Sequence, residues 1–418
     1  MDERAFALDI ISTLRANGFI ALMAGGCVRD ALLGREPSDY DVATDAPPDR
    51  ISRLFPRTAE VGACFGVVLV RSQGLTVEVA TFRADGRYTD ARRPDTVTFS
   101  NPADDAARRD YTVNALFWSP DRPTGPAFDH AQSTPAPTGG WIIDFVGGLQ
   151  DLDHRLIRAV GNPDQRLAED HLRALRAVRL AAKLAFAVHP DTAAAITRHA
   201  SDLRGVSRER IGEELRMMLD HPTRAGAVDA LASLGLIGSV LGLEGGGSGP
   251  ALAKISAGAG FAVALAAWLV DLGRVSPADL GVVRKSLMLS NEEREAIAGT
   301  LASLAEVTGK WGEWGVARRK REAAKEWFGG VLEILGGVNP GLRERVKSDS
   351  DELSKTPSGI QPKPLVTGDT LTRLGLRPGP AFKKVLDAVY DAQLEDRITT
   401  EAQGEAEALA AWGRFKGG

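Results

Sequence analysis

Residues 24–41 read Ala24-Gly25-Gly26-Cys27-Val28-Arg29-Asp30-Ala31-Leu32-Leu33-Gly34-Arg35-Glu36-Pro37-Ser38-Asp39-Tyr40-Asp41, and no other stretch restricts the fold so tightly. Apolar Ile20–Ala24 predicts a short strand. The Gly pair predicts a tight turn, the next residues a short helix stopped by Gly34, and Asp39–Val42 a second strand. Glycines let a backbone approach a ligand closely, and a helix start after them favours an anion such as a triphosphate. On a strand, Asp39 and Asp41 would project from one face. Two such carboxylates repel unless a cation lies between them, and Mg²⁺ takes oxygen ligands of this kind together with substrate phosphates.

The flanking sequence extends this pattern. Gly66–Arg71 and Thr76–Phe82 read as strands, and Leu75–Val79 alternates with period two. Glu78 lies between Val77 and Val79, where a carboxylate is costly unless paired or metal-bound. Three carboxylates beside a phosphate cradle point to two-metal nucleotidyl transfer. Phe6–Leu14 predicts a helix capped at Gly18, Pro120–Gly140 a surface loop or insertion, and Trp141–Phe145 a last strand. Beyond Asp151 the periodicity turns helical, in Arg166–Leu184, Glu209–Leu219, Ala225–Leu234, Phe261–Val270, Asn291–Val307 and Ala317–Leu335. Leu243–Gly260 reads as a Gly-rich loop, Ser348–Pro364 as a polar linker and Ala381–Leu394 as the last strong helix. The expected class is α+β: a head with a mixed sheet and helices, then an all-α remainder without internal repeats.

Composition excludes several alternatives. At 418 residues and a formal net charge of −4, the chain is not a globally basic coat for nucleic acid. Cys27 and Cys64 cannot build a disulfide framework or a CxxC zinc site. No signal peptide is expected from Met1–Arg4, and the longest apolar run, Phe261–Val270, is about half of a bilayer span, so a cytoplasmic protein is expected. Of 51 basic residues 12 are Lys and 39 Arg, a bias that GC-rich codons would produce and that also suits bidentate phosphate and base contacts. All six His lie at or before His221, which rules out a His-based site in the C-terminal half.

Gly25–Asp41 resembles motif A, GGxVRDxLLGxxxxDxD, of the class II tRNA nucleotidyltransferase and bacterial poly(A) polymerase family, a branch of the polymerase β-like superfamily. Further stretches match in order. Glu78–Arg83 resembles the strand with the third carboxylate. Arg83–Val97 resembles the flexible loop, and Arg108–Leu116 resembles motif B, RRDFTINAL. Asp144–Leu152 resembles the hinge motif DPxGGxxDL, with Phe145 in place of Pro. Glu169–Arg173 resembles motif D, EDxxR, and Ser207–Leu215 resembles motif E.

The resemblance implies a template-independent RNA nucleotidyltransferase. It would build C, C and A onto tRNA 3′ ends from CTP and ATP, with Mg²⁺ and without a membrane or an obligate protein partner. It implies a head over 1–150, a helical neck for base recognition over 151–222, a helical body over 223–345, and a linker and tail over 346–418 that touch tRNA. Asp39 and Asp41 would hold metal, with Glu78 as third carboxylate or proton acceptor. Gly25, Gly26, Arg29, Arg109, Asp110 and Asn114 would contact triphosphate and sugar.

Asp170 and Arg173 would read the base from one helix face, supported by Glu169. Cytosine and adenine each pair an amino donor with a ring-nitrogen acceptor, which an Asp and an Arg complement. Uracil and guanine reverse that pattern. Such a bidentate contact discriminates by roughly 1–3 kcal/mol. Arg176 and Arg179 extend the stripe toward nucleotide or tRNA, or form a solvated face. Lys383 and Lys384 follow Leu374–Pro380 as a phosphate site or a solvated pair. Poly(A) or A-only addition, and a non-catalytic tRNA-binding protein, are the alternatives. The absence of His beyond His221 excludes the phosphohydrolase domain that some members carry.

Overall fold

The computed structural model describes residues 2–60, 66–86 and 96–415, so Cys64 and residues 87–95 of the expected flexible loop lie outside it. The chain divides into two compact units. One comprises Met1–Met218 with Gly226–Glu244, and the other Leu219–Ala225 with Gly245–Gly418.

The first unit opens with α1 (Glu3–Ala16), β1 (Ala21–Ala24), α2 (Gly26–Leu32), β2 (Asp41–Thr44) and α3 (Pro48–Leu54). Then come β3 (Thr58–Glu60), β4 (Val67–Ser72), β5 (Leu75–Thr81), β6 (Arg83–Asp85), β7 (Val97–Phe99) and α4 (Pro102–Arg108). The head closes with β8 (Phe117–Ser119), β9 (Gln132–Pro135) and β10 (Trp141–Asp144). Eight strands form one sheet in the order β3-β4-β5-β2-β1-β8-β10-β9. Among the described residues, β2 and β5 are the one pair that runs parallel within it. Val77 and Val79 of β5 are buried while Glu78 between them is exposed, as period two requires. Leu22, Ala24, Ala43, Phe82, Phe117 and Ile143 form the core on one sheet face, and Phe82 meets Phe117 edge-on.

The structure departs from the sequence expectations at several points. The strand expected over Asp39–Val42 begins at Asp41. Ala24↔Asp41 is the last β1–β2 pair, so the turn at Gly25 leaves Asp39 without a ladder partner. The segment 120–140 is more than a loop, because β9 pairs with β10 at the sheet edge and Trp118 donates from Nε1 to Gly139 O at 2.8 Å. At the hinge, Phe145 packs edge-on against Phe117 where the family has Pro. The turn is fixed by Asp144 instead. Its buried carboxylate accepts from the backbone N–H groups of Val146, Gly147, Gly148 and Leu149 at 2.9–3.0 Å.

The unit continues with α5 (Gly148–Asp153), β11 (Leu156–Ile157), α6 (Pro163–Glu169), α7 (Arg173–Leu184), β12 (Ala187–Val188), α8 (Pro190–Arg198), α9 (Arg208–Leu219), α10 (Arg224–Ser233) and α11 (Ile237–Leu241). The single helix expected over Arg166–Leu184 is therefore two. Asp170 is extended (φ −153°, ψ 104°), and its carboxylate accepts from Leu172 N at 3.1 Å, a local bond that competes with helix.

The second unit is helical: α12 (Pro250–Lys254), α13 (Phe261–Asp271), α14 (Pro277–Leu287), α15 (Asn291–Lys310), α16 (Val316–Ala323), α17 (Phe328–Val338), α18 (Pro340–Ser354), α19 (Gly368–Arg373), α20 (Pro380–Leu394) and α21 (Glu401–Phe415). Within the expected loop 243–260, α12 packs so closely on α17 that a Cβ at Gly337 would meet Pro250 O at 2.0 Å. The helix expected over Ala317–Leu335 breaks between α16 and α17, where Lys325 turns back to the fully buried Glu322 at 2.7 Å. The first part of the expected linker 348–364 is helix α18, capped by Asn339, with Pro340 at its first position. A helix also follows the one read as last. In α21, Gly404 lets the chain approach Val366, which a Cβ there would meet at 2.9 Å.

Candidate active site

The cradle forms where β1 ends. Gly25 has φ +78° and donates to Leu116 O at 3.0 Å. A Cβ on it would stand 3.0 Å from Arg109 Nη1, so the glycine gives the guanidinium its room. Arg29 flanks the cradle too, its Nη2 3.5 Å from where a Cβ on Gly26 would stand. Burial pushes the Cys27 thiol of α2 up to about 11, which keeps it neutral.

Asp41 and Glu78 are register partners on the parallel strands β2 and β5. Burial pushes the Asp41 carboxyl up to about 7, with Glu78 and Asp39 adding repulsion and Arg109 opposing it. Glu78 opens on the cleft yet is partly desolvated by its walls, and its carboxyl is raised by that desolvation first and then by Asp39. Asp39 is exposed and contributes its field from just outside the strand. Among the described residues no three His, Cys, Asp or Glu side chains form a group able to hold a metal ion by themselves. Mutual repulsion and hard oxygen donors fit a divalent cation. Such a cation takes further oxygen ligands from substrate phosphates.

Around this centre the arginines are bound in pairs. Arg109 lies 2.9 Å from Asp105 Oδ2, donates from Nη1 to Asn114 O at 3.1 Å and stacks over Phe117. Asp105 is 1% exposed. Burial would raise its carboxyl, but Arg109 and Arg108 hold it below the ordinary range. Arg29 is nearly buried, bonding Asp30 at 2.8 Å and the Asn114 side chain. Asp110 is bound by Arg176 at 2.7 Å and accepts from Asn114 Nδ2 at 3.3 Å. Burial would raise Asp110 too, and Arg176 holds it down.

The expected base readers sit at the break between α6 and α7. Asp170 precedes α7 and Arg173 opens it, so they share a turn rather than a helix face. Asp170 pairs with Arg210 of α9 at 2.6 Å. Arg173 binds Glu169 and donates to Arg166 O at 2.7 Å.

One cleft of about 610 Å³ is lined by Gly25, Gly26, Arg29, Asp41, Glu78, Arg109, Asp110, Asn114, Asp170, Arg173 and Arg176. Asp39, Glu169 and Arg179 are outside its lining. Arg179 instead holds the buried Glu214 at 2.7 Å. In the second unit Lys383 and Lys384 are exposed on α20.

Sequence reasoning missed Asp105, Arg166 and Arg210. Asp105 was legible as an acid three and four residues before Arg108 and Arg109. Arg210 lies inside the stretch that resembles motif E, but its pairing with Asp170 joins two separate helices and carried no local signal.

The sequence pattern described as the poly A polymerase head domain matches residues 21–158. That described as the probable RNA and SrmB-binding site of polymerase A matches residues 185–241. The CCA-adding enzyme of Geobacillus kaustophilus is 32% identical over 418 residues, covering 97% of this chain and 95% of that protein.

The chain belongs to the CCA-adding enzyme family.

The CCA-adding enzyme of Levilactobacillus brevis is 41% identical over 234 residues, 56% of this chain and 54% of that protein. The crystal structure of the Bacillus stearothermophilus CCA-adding enzyme in complex with CTP superposes with a TM-score of 0.78 at 28% identity, covering 98% of each chain. A CCA-adding enzyme of Thermotoga maritima, solved with tRNA, shares the fold at a TM-score of 0.68 and 18% identity. As a member of the CCA-adding enzymes, the chain is a nucleotidyltransferase with an α+β head and a helical remainder. Among its described residues no helix is long and apolar enough to cross a membrane.

Proposed function

We propose that the chain adds C, C and A in turn to tRNA 3′ ends, consuming CTP and ATP and releasing pyrophosphate. The observation that carries this reading is the single cleft that contains both the Asp41–Glu78 pair and the Asp170–Arg173 pair. The chemistry of transfer and the chemistry of base choice then act on one bound nucleotide.

In this reading Gly25 and Gly26 admit the triphosphate close to the backbone. Arg109 faces its negative charge, anchored by Asp105 so that little reorganisation is needed on binding. Asn114 and Asp110 orient the sugar. Asp41, helped by Asp39 and Glu78, would hold Mg²⁺, which would supply charge neutralisation at the triphosphate and a more acidic primer 3′-hydroxyl. Glu78, one strand away, is suited to accept the hydroxyl proton. Asp170 accepts from the base amino group and Arg173 donates to the ring nitrogen. A wrong base would leave both charges unmatched. The head over 1–150, neck over 151–222, body over 223–345 and tail over 346–418 are the working division. The last two contact tRNA, with Lys383 and Lys384 at its phosphates. Arg176 faces the nucleotide or RNA while bonded to Asp110. A cytoplasmic location accords with work on tRNA.

The test is primer extension on tRNA ending before CCA, with CTP, ATP or both. Three added residues only when both are present are expected. A long A tract, or A added only to a supplied CC end, would sink the reading.

A further inference from the structure

We infer that Arg166 is a positioning residue that makes catalysis depend on base choice. This rests on the proposed reading of Asp170 and Arg173. Arg166 lies outside the stretches that resemble family motifs and outside the cleft lining, yet its guanidinium joins the end of α4 to Glu169.

Arg166 stands on the second turn of α6 with its side chain 16% exposed. From Nη2 it donates to Ala107 O at 2.8 Å, and from Nη1 to Arg108 O at 3.1 Å. These carbonyls end α4, the helix that delivers Arg109 to the triphosphate side. A cation suits carbonyls at a helix C-terminus, where the backbone lacks its own donors. The same Nη1 lies 2.9 Å from Glu169 Oε2, the oxygen that also binds Arg173 Nη1. The backbone carbonyl of Arg166 accepts from Arg173 at 2.7 Å, and Nε reaches Val160 O at 3.3 Å.

The consequence is a shared carboxylate. Glu169 is held by Arg166 on one side and Arg173 on the other. If a mismatched base displaces the Arg173 guanidinium, Glu169 is drawn with it, and the fork on Ala107 and Arg108 is disturbed just ahead of Arg109. Tyr111, donating to Arg173 O, and Arg176, on Asp110, also join motif B to α7. They hold the backbone and flank of α7, whereas Arg166 acts through Glu169 on the Arg173 guanidinium itself. Lysine cannot replace the fork, because one ammonium cannot span two carbonyls and a carboxylate in that fixed geometry.

The experiment compares kcat/KM for CTP and UTP on tRNA ending before CCA in the full chain, its Arg166→Met and Arg166→Lys variants, and Arg173→Ala as reference. Melting temperature and tRNA affinity are measured alongside. Expected are a fall of about tenfold in CTP-over-UTP preference for Arg166→Met, a similar fall for Arg166→Lys, and unchanged tRNA affinity. If Arg166→Met does not fold, Arg166→Lys carries the same readout. An equal loss of kcat for CTP and UTP, with preference intact while Arg173→Ala relaxes it, would overturn this inference and leave the reading of the site standing. Unchanged preference in Arg173→Ala would remove the base-reading proposal and this inference together.

Discussion

Asp41 and Glu78 lie directly across from one another on the parallel strands β2 and β5 of the large sheet. Both are pushed upward, Asp41 to about 7, by burial and by neighbouring acids. Cation binding must therefore compete with a proton. Below pH 7 each bound Mg²⁺ should release close to one proton, and affinity should fall as pH drops from 8 to 6. Calorimetry in buffers of different ionisation enthalpy measures both. Affinity independent of pH would remove Asp41 from the metal site.

The same shift sets the stability of the metal-free protein. A carboxyl with a raised pKa holds its proton more tightly folded than unfolded. Its contribution is therefore favourable at low pH and is lost as pH rises from about 4 through 7. Asp41→Asn removes a half-buried charge and should stabilise the metal-free protein at pH 8 by about 1–3 kcal/mol, with little effect at pH 5. Melting in EDTA across this range tests the sign. The same variant should lose about 10³-fold in kcat, roughly 4 kcal/mol of barrier, while still binding tRNA.

Asp170→Asn replaces an acceptor-only group with one that both donates and accepts. Uracil then finds a partner at the amide. UTP incorporation relative to CTP should rise about 10-fold or more, in line with 1–3 kcal/mol for a bidentate contact. Competition between labelled CTP and UTP reads the ratio directly. A ratio equal to wild type would argue that the base is read elsewhere.

Gly25→Ala introduces a Cβ at φ +78° and 3.0 Å from Arg109 Nη1. The backbone strain costs about 1–2 kcal/mol. Displacement of Arg109 should raise KM for both CTP and ATP, since the cradle touches what the two substrates share. An effect confined to one nucleotide would contradict a triphosphate role.

Asp144→Ala deprives four backbone N–H groups of their acceptor. Loss of this buried, multiply bonded carboxylate should destabilise the first unit by about 3–5 kcal/mol. Urea denaturation followed by circular dichroism gives the difference. A loss below ~1 kcal/mol would show that packing by Phe145 alone holds the turn.

The cradle and the strand carboxylates were legible because their signals are local. A Gly pair, a two-residue spacing and a period-two strand are each written within a few neighbouring positions. The register that puts Asp41 beside Glu78 was not written locally, since it depends on the crossover through α3 and the β3–β4 hairpin. The break at Asp170 was hidden for a related reason. Residues 166–184 carry a helical pattern on both sides, and a single side-chain bond to Leu172 N decides against continuity. Partners such as Arg210 and Arg166 reach the site from elsewhere in space, and a charge on a helix does not say which acid or carbonyl it will meet. In the second unit, α18 was obscured by its polarity, with Val346 its one buried residue.

Ala24 and Asp41 close the β1–β2 ladder together. The Gly turn starts one residue after the first, and the carboxylate is the second. The two functional parts are thus fastened to each other across the sheet, independently of the sixteen residues of chain between them. Residues 36–38 can therefore change in sequence without changing the distance from cradle to carboxylate, while Arg35 is tied to Lys183 O at 3.1 Å. A single deletion inside either strand would shift one part against the other and turn Asp41 to the opposite face. Tolerance to substitution and intolerance to slippage meet within a few residues of one another, so in this strand–helix–strand unit the identity of the connecting residues is free where the register is not.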